Sequence, residues 1–367
     1  MPFVCQRLEA PPNGLVEFEF EEPIRRYAIG ISYWKLSFAA GTDHWVRALE
    51  LYTKVIDQTD ERKIRAQVTA VLCDAAASGH QLSAADSKIV LACVAFVGRD
   101  DGNFENHTDA NGTTYDVENP ALPFMTGFSL SNPEQDTRVT TIALSAWFKP
   151  SGAGGVVSVE AELKNGDDAM SQQSLSYALA TGTQKKPDLL VQSNISGTMN
   201  GYHEVVFDRP IVDGVVLIQE LYVGFAKPHN VAFVGGGPES VQVGRERLTY
   251  YNGGAFISDT SGNTQTADSY TTLLAFAIPG LSISFFAENP LDVAVQELRL
   301  RAQGTGDWGA NLLKAPIAPQ RGAGIDTTVR AYVCDIKVVY ADSRTAELDG
   351  YDFGRIPRPS VRLPIPE

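Results

Sequence analysis

Val16, Phe18 and Phe20 are apolar and alternate with the charged Glu17, Glu19 and Glu21. Successive side chains of a strand point to opposite faces, so this stretch predicts a strand with one face in water. Beyond Pro23, the residues from Ile29 to Leu36 are apolar at most positions of either parity, which predicts a longer and more deeply buried strand. Further strands are expected at 139–148, 156–163, 175–180, 293–302 and 328–340, separated by Gly-rich and Asn-Gly turns of the hairpin kind. Residues 42–98 are ambiguous. Trp45, Leu49, Tyr52 and Ile56 fall at helical spacing behind Thr42 or Asp43, and the apolar runs 64–72 and 88–97 fit either a strand or a buried helix.

The chain repeats itself, and the repeat favours strands there. Residues 14–39 and 201–226 align without a gap at eight identical positions, among them Phe20/Phe207, Pro23/Pro210, Ile24/Ile211 and Phe38/Phe225. A shorter echo pairs Phe128-Asn132-Pro133 with Phe285-Asn289-Pro290. The expectation is an all-β chain of two tandem, internally duplicated antiparallel β-sandwich domains of jelly-roll-like form, at 14–196 and 197–342. Residues 1–13 and the proline-rich 343–367 then read as extended arms. The second echo recurs at a shorter interval than the first, so the first half carries 30 extra residues. The polar stretch 99–123 is the expected insertion, an exposed loop.

That loop holds the one metal-like constellation. Asp109, Asn111 and Asp116 offer hard oxygen ligands, and Gly102 and Gly112 permit tight bends, so the three are candidate calcium ligands. Asp, Asn and Gly are equally what any exposed loop uses. The nucleotide, hydrolase and metalloprotease signatures are absent from the sequence. His44 beside Asp43 suggests an acid–base pair, but neighbours on a strand face opposite ways and a surface role is the better reading. Tyr33, Trp34, Trp45, Trp147, Phe148 and Trp308 could form a sugar-stacking platform, although their alternating context favours the core.

Charge and termini narrow the class. A formal net charge of −14 argues against nucleic acid and against an anionic membrane surface. No apolar run reaches the roughly 18 residues of a spanning helix. The start MPFVCQRLEAPPNG has no signal-peptide pattern, which implies cytoplasmic synthesis, with release as part of a particle as a later fate. The four cysteines are scattered, so no disulfide framework is expected.

The first half loosely resembles H-type lectin modules in its Phe-x-x-Pro opening, the strand after it and the apolar run ending Ala95-Phe-Val-Gly98. It departs from them in lacking the tryptophan that usually closes that last strand. The leading functional expectation is a non-enzymatic, homo-oligomeric structural subunit of a large assembly such as a virion or phage tail. Its partners would be copies of itself and other subunits, contacted through Ile356, Val361, Leu363 and Ile365 on the C-terminal arm. The alternative is a lectin-like protein that binds surface glycans.

Overall fold

The computed structural model describes residues 3–21, 23–58, 60–74, 80–97, 102–132, 135–165, 168–183, 189–197, 201–259, 268–303, 308–356 and 358–366. Among them there is no helix; the chain is all-β, built of several antiparallel sheets. The ambiguous region 42–98 is strand. Among the described residues no helix is long and apolar enough to cross a membrane.

The chain divides into two compact units. The first comprises Met1–Val205, Gly214–Gln242 and Leu248–Ala277; the second comprises Val206–Asp213, Val243–Arg247 and Ile278–Glu367. Three successive runs of strands build the sheets of the first unit, and the ends of several third-run strands, with the corner around Phe207, are counted in the second. The first run is Phe3–Ala10 (β1), Leu15–Glu19 (β2), Ile24–Ser37 (β3), Ala48–Asp57 (β4), Lys63–Cys73 (β5) and Lys88–Val97 (β6). The second is Asn103–Ala110 (β7), Thr114–Val117 (β8), Ala121–Ser131 (β9), Val139–Ser151 (β10), Gly154–Asn165 (β11), the short Asp168–Ala169 (β12) and Gln172–Thr181 (β13). The third is Leu190–Gly197 (β14), Gly201–Val206 (β15), Ile211–His229 (β16), Phe233–Val243 (β17), Arg247–Ser258 (β18) and Asp268–Pro279 (β19).

The three sheets follow one rule. Their orders are β1-β6-β3-β17-β18-β15, β7-β13-β9-β4-β5-β2 and β14-β19-β16-β10-β11-β12, with β8 also pairing β11. In each, the first, last and third strands of one run are continued by the fourth, fifth and second strands of another, and in the third sheet the short sixth strand β12 pairs β11, as β8 does. The joining pairs β3–β17, β4–β9 and β10–β16 are antiparallel. The repeat is therefore threefold, and its members share sheets. The expected division into domains 14–196 and 197–342 is not the one the structure makes.

The corner between the second and third strands of a run explains why two copies are visible in the sequence and one is not. Phe20 N–H donates to Arg62 O (2.9 Å) and Ile24 N–H to Glu61 O (2.7 Å); Phe207 N–H donates to Glu246 O (2.8 Å) and Ile211 N–H to Arg245 O (2.8 Å). Pro23 and Pro210 carry no N–H, so the chain leaves one strand and enters the next with no donor at that position to satisfy. Phe20 and Phe207 are buried, at 8% and 6% exposure. The middle run keeps only Val117, Pro120 and Ala121 at the matching places. The expected 99–123 loop contains β7, β8 and the start of β9, while 98–101 lie outside the described residues. The shorter echo misled because Phe128 lies in β9, whereas Phe285 belongs to the second unit.

The three sheets meet over an apolar interior. Gly30 on β3 is needed for close approach: a Cβ there would sit 2.8 Å from the Phe124 ring of β9 and 2.9 Å from Leu217 of β16. Ring centroids connect Phe3 to Phe96 and to Phe276 at 5.5 Å, and Phe96 to Phe104 at 5.0 Å. Phe124 lies edge-on to Phe276 at 6.1 Å. The residues 1–13, expected as an extended arm, contain β1, whose Phe3 is fully buried against β6.

The second unit places Leu281–Glu288 (β20), Val295–Ala302 (β21), Gly322–Val329 (β22), Val333–Tyr340 (β23), Thr345–Asp352 (β24) and Ser360–Arg362 (β25) in two sheets, β22-β20-β25 and β21-β23-β24. Their inner faces share a core that includes Phe285, Leu298, Ile336, Tyr340 and Phe353. The C-terminal tail enters it. β25 pairs with β20, Val361 and Leu363 are buried, and Tyr340 OH donates to Pro364 O at 2.7 Å. Val361 and Leu363 therefore pack within their own unit, where the sequence assigned them to a neighbouring subunit. Apolar anchors spaced along an extended tail suit either destination, and only the fold shows which surface they meet. Ile356 and Ile365 stay exposed, at 61% and 50%.

Candidate functional site

A cleft of about 250 Å³ opens in the first unit beside β4, lined by Tyr27, Ala28, Ile29, Tyr52, Thr53, Val55, Asn106, His107, Thr108, Thr126 and Ser176. β4 pairs β9 only as far as Leu51↔Phe128. Beyond that point Tyr52, Thr53 and Val55 line one wall, and β7 and β13 supply Asn106, His107, Thr108 and Ser176. Gly127 permits the close approach at the junction, since a Cβ there would lie 2.7 Å from Leu51 O and 2.9 Å from the Tyr52 Cβ. Beside it β13 slips register between Ser176 and Tyr177. A bulge of this kind re-aims side chains at the end of a ladder.

The cleft is polar, and no charged side chain lines it among the described residues. Thr108 and Ser176 hydroxyls lie 2.9 Å apart. The His107 ring stacks on Tyr177 (5.4 Å, 14°), and its Nε2 is buried without a hydrogen-bond partner. Behind that stack, Tyr177 OH donates to Asp109 Oδ2 at 2.7 Å and lies 2.7 Å from Tyr115 OH. Burial, reinforced by these two neighbours, pushes the Tyr177 phenol far above its ordinary range, so it is a fixed donor.

The three candidate calcium ligands do not converge. Asp109 takes the Tyr177 proton donor; Asn111 accepts from Ala161 N–H (3.0 Å) and donates to Glu162 Oε1 (3.0 Å); Asp116 sits on β8 opposite Val156. Asp109 lies on β7, Asn111 in the turn after it and Asp116 on β8, whereas a calcium loop would wrap the three around one point.

A second cluster lies where the runs cross from sheet to sheet. The three crossovers hydrogen-bond to one another through His44↔Val231, Val46↔Thr137 and Val139↔His229. Here His44 faces Asp74, with Nδ1 3.5 Å from Oδ2, and the same oxygen lies 2.7 Å from His80 Nδ1. Asp43, the sequence neighbour, receives Asn230 Nδ2 at 3.1 Å instead. The third run places His229 Nδ1 3.8 Å from Asp259 Oδ2 in the same manner. Sequence reasoning missed both pairs, although the repeat held a signal: Asp74 and Asp259 each directly follow the fifth strand of their runs. Trp45, 43% exposed, projects beside them with Arg138 over its ring at 4.9 Å.

The third sheet adds a patch of carboxylates and aromatics. Glu220 accepts from Tyr270 OH (3.0 Å) and Thr272 Oγ1 (2.9 Å), and Tyr222 stacks on Tyr270. Burial raises the Glu160 carboxyl above its usual range, helped by Glu162 and Glu220. Trp147 on β10 is 57% exposed, and with Trp45 it departs from the expected core role that Trp34 does fill.

No family model matches the chain, and no curated protein does. Among solved structures, the cytotoxin suilysin from Streptococcus suis aligns at 6% identity over 98% of this chain and 88% of that one, with a TM-score of 0.16. A non-hemolytic pneumolysin from Streptococcus pneumoniae strain ST306 aligns at 7% identity over 98% and 86%, with a TM-score of 0.15. Likenesses at these scores carry no argument about fold or function.

Proposed function

We propose that the chain is a non-enzymatic, lectin-like protein that binds neutral glycans in the cleft beside β4. The observation that carries this reading is the lining: two tyrosines, three hydroxyl side chains of Thr and one of Ser, an amide and an imidazole, with no ionic group among the described residues. Hydroxyls, amides and imidazoles exchange hydrogen bonds with sugar hydroxyls, and aromatic rings cover the apolar face of a pyranose. A phosphate or carboxylate ligand would need a cation that this lining lacks, and a net charge of −14 works against anions at longer range. The volume is below the range of about 300–1,000 Å³ found for drug-sized ligands, and suits one sugar ring. Glycan-array binding followed by calorimetry on the full chain tests the reading. Tyr52→Ala and His107→Ala are each expected to weaken the captured glycan about tenfold. Retention of no neutral glycan at millimolar concentration, or unchanged affinity in both variants, sinks it.

A second reading, a structural subunit assembling with copies of itself, is favoured by the exposed Ile356 and Ile365 that flank the docked tail. Light scattering on the eluting protein decides it: a monomer at high concentration removes this reading, and a defined oligomer lost on Ile356→Ser/Ile365→Ser supports it.

A further inference from the structure

We propose that His44, Asp74 and His80 form a binding site for a divalent d-block cation of the zinc class, a site that stands independently of the glycan reading. One nitrogen of each ring and one Asp74 oxygen lie within 4.8 Å of one another, the one such group of three among the described residues. Tetrahedral zinc, with bonds of about 2.0–2.2 Å, holds its ligand atoms roughly 3.3 Å apart. The distances here, 2.7 Å from His80 Nδ1 to Asp74 Oδ2 and 3.5 Å from His44 Nδ1, straddle that value. Small side-chain rotations open the three to a common cation.

The cluster is held by the backbone. His44 is pinned from both sides, its N–H donating to Val231 O (3.0 Å) and its carbonyl accepting from Val231 N–H (2.8 Å), and its ring meets Phe38 edge-on at 4.8 Å. The bridge between Cys73 and Gln81 closes the base of the β5–β6 connection and sets Asp74 against His80. The two imidazoles stack at 3.7 Å and 21°. A lone His–Asp hydrogen bond would explain one imidazole; it leaves the second ring, His44, with its Nδ1 facing the same oxygen at 3.5 Å. Two imidazoles and a carboxylate are a donor set suited to zinc, nickel, cobalt or copper and poorly suited to magnesium or calcium. Asp74 is 7% exposed and His80 48%, so a cation would be anchored from inside and open on the His80 side. That open position leaves room for water or an added ligand.

The test uses the full chain with zinc chloride, cobalt chloride and magnesium chloride. Calorimetry and thermal unfolding are expected to show saturable zinc binding and a Tm rise of several degrees at about 100 μM zinc. Cobalt is expected to develop visible absorption on binding. His80→Ala, at an exposed position that spares the fold, weakens zinc at least about tenfold, as does Asp74→Asn, whereas His229→Ala retains it. No heat and no Tm shift with zinc overturns the site, as does unchanged zinc affinity in His80→Ala. Magnesium binding as tight as zinc overturns the assigned class of cation.

Discussion

The first run of strands and the third share recognisable sequence around their corners, and the middle run shares almost none, yet all three contribute the same halves to the three sheets. Phe20-x-x-Pro23-Ile24 and Phe207-x-x-Pro210-Ile211 are close copies; Val117-x-x-Pro120-Ala121 is the trace that the middle run retains. What the three have in common is the order in which their strands enter the sheets and the proline at the turn between second and third. Side-chain identity is free to drift as long as volume and parity hold, because a sheet face accepts any apolar residue that fills it. The middle run is thus a full partner in the core, which can be tested at several depths.

The largest effect is expected at Phe124, fully buried in the middle run where the three sheets meet. Phe124→Ala should cost about 3–5 kcal/mol in urea unfolding, as much as Phe276→Ala in the third run. A cost near zero at Phe124 beside a large one at Phe276 would return the middle run to the status of an insertion. At the corners, Phe20→Ala and Phe207→Ala should each cost roughly 3 kcal/mol, whereas Val117→Ala, at a half-buried site, should cost about 1 kcal/mol or less. Equal losses at all three corners would contradict the drift described above.

A smaller effect separates packing from the cleft. Gly127→Ala places a methyl group against Leu51 O and Tyr52, which should cost about 1–3 kcal/mol and disturb glycan capture together with stability. Glu160 gives a pH-dependent difference. Its folded carboxyl titrates above the ordinary value of 4.5, so its contribution to stability is complete below that value and is lost as pH rises through the folded pKa. Glu160→Gln should therefore be more stable than the wild type near neutrality, and the gap should close towards pH 4; a gap that widens on acidification reverses the assignment. The smallest expected effect is none: calcium should leave thermal unfolding unchanged, because Asp109 and Asn111 are engaged with protein groups. A rise in Tm that disappears in Asp109→Ala would restore the calcium loop.

Alternation in Val16–Glu21 and the apolar run at 29–36 were enough to read β2 and β3, and the Phe-x-x-Pro corners announced a repeat. The third copy was illegible for the reason just given, and its polar strands β7 and β8 resemble loop because their exposed side chains follow solvent. Trp45 and Trp147 read as core since alternation marks which residues share a face and leaves open which face is covered. The cleft had no local signature. Tyr52, His107 and Ser176 come from three strands far apart in the chain and meet only because β9 lies between β4 and β13.

By itself, then, the sequence determined the strand class, the turns and the existence of a repeat, all properties written in residues a few positions apart. The tertiary structure alone decided that the repeat is threefold and that its members share sheets. It also decided that Asp74, rather than the adjacent Asp43, faces His44. Strand pairing is set by which apolar faces exclude water together, a choice made across the whole unit and carried by no single stretch of chain.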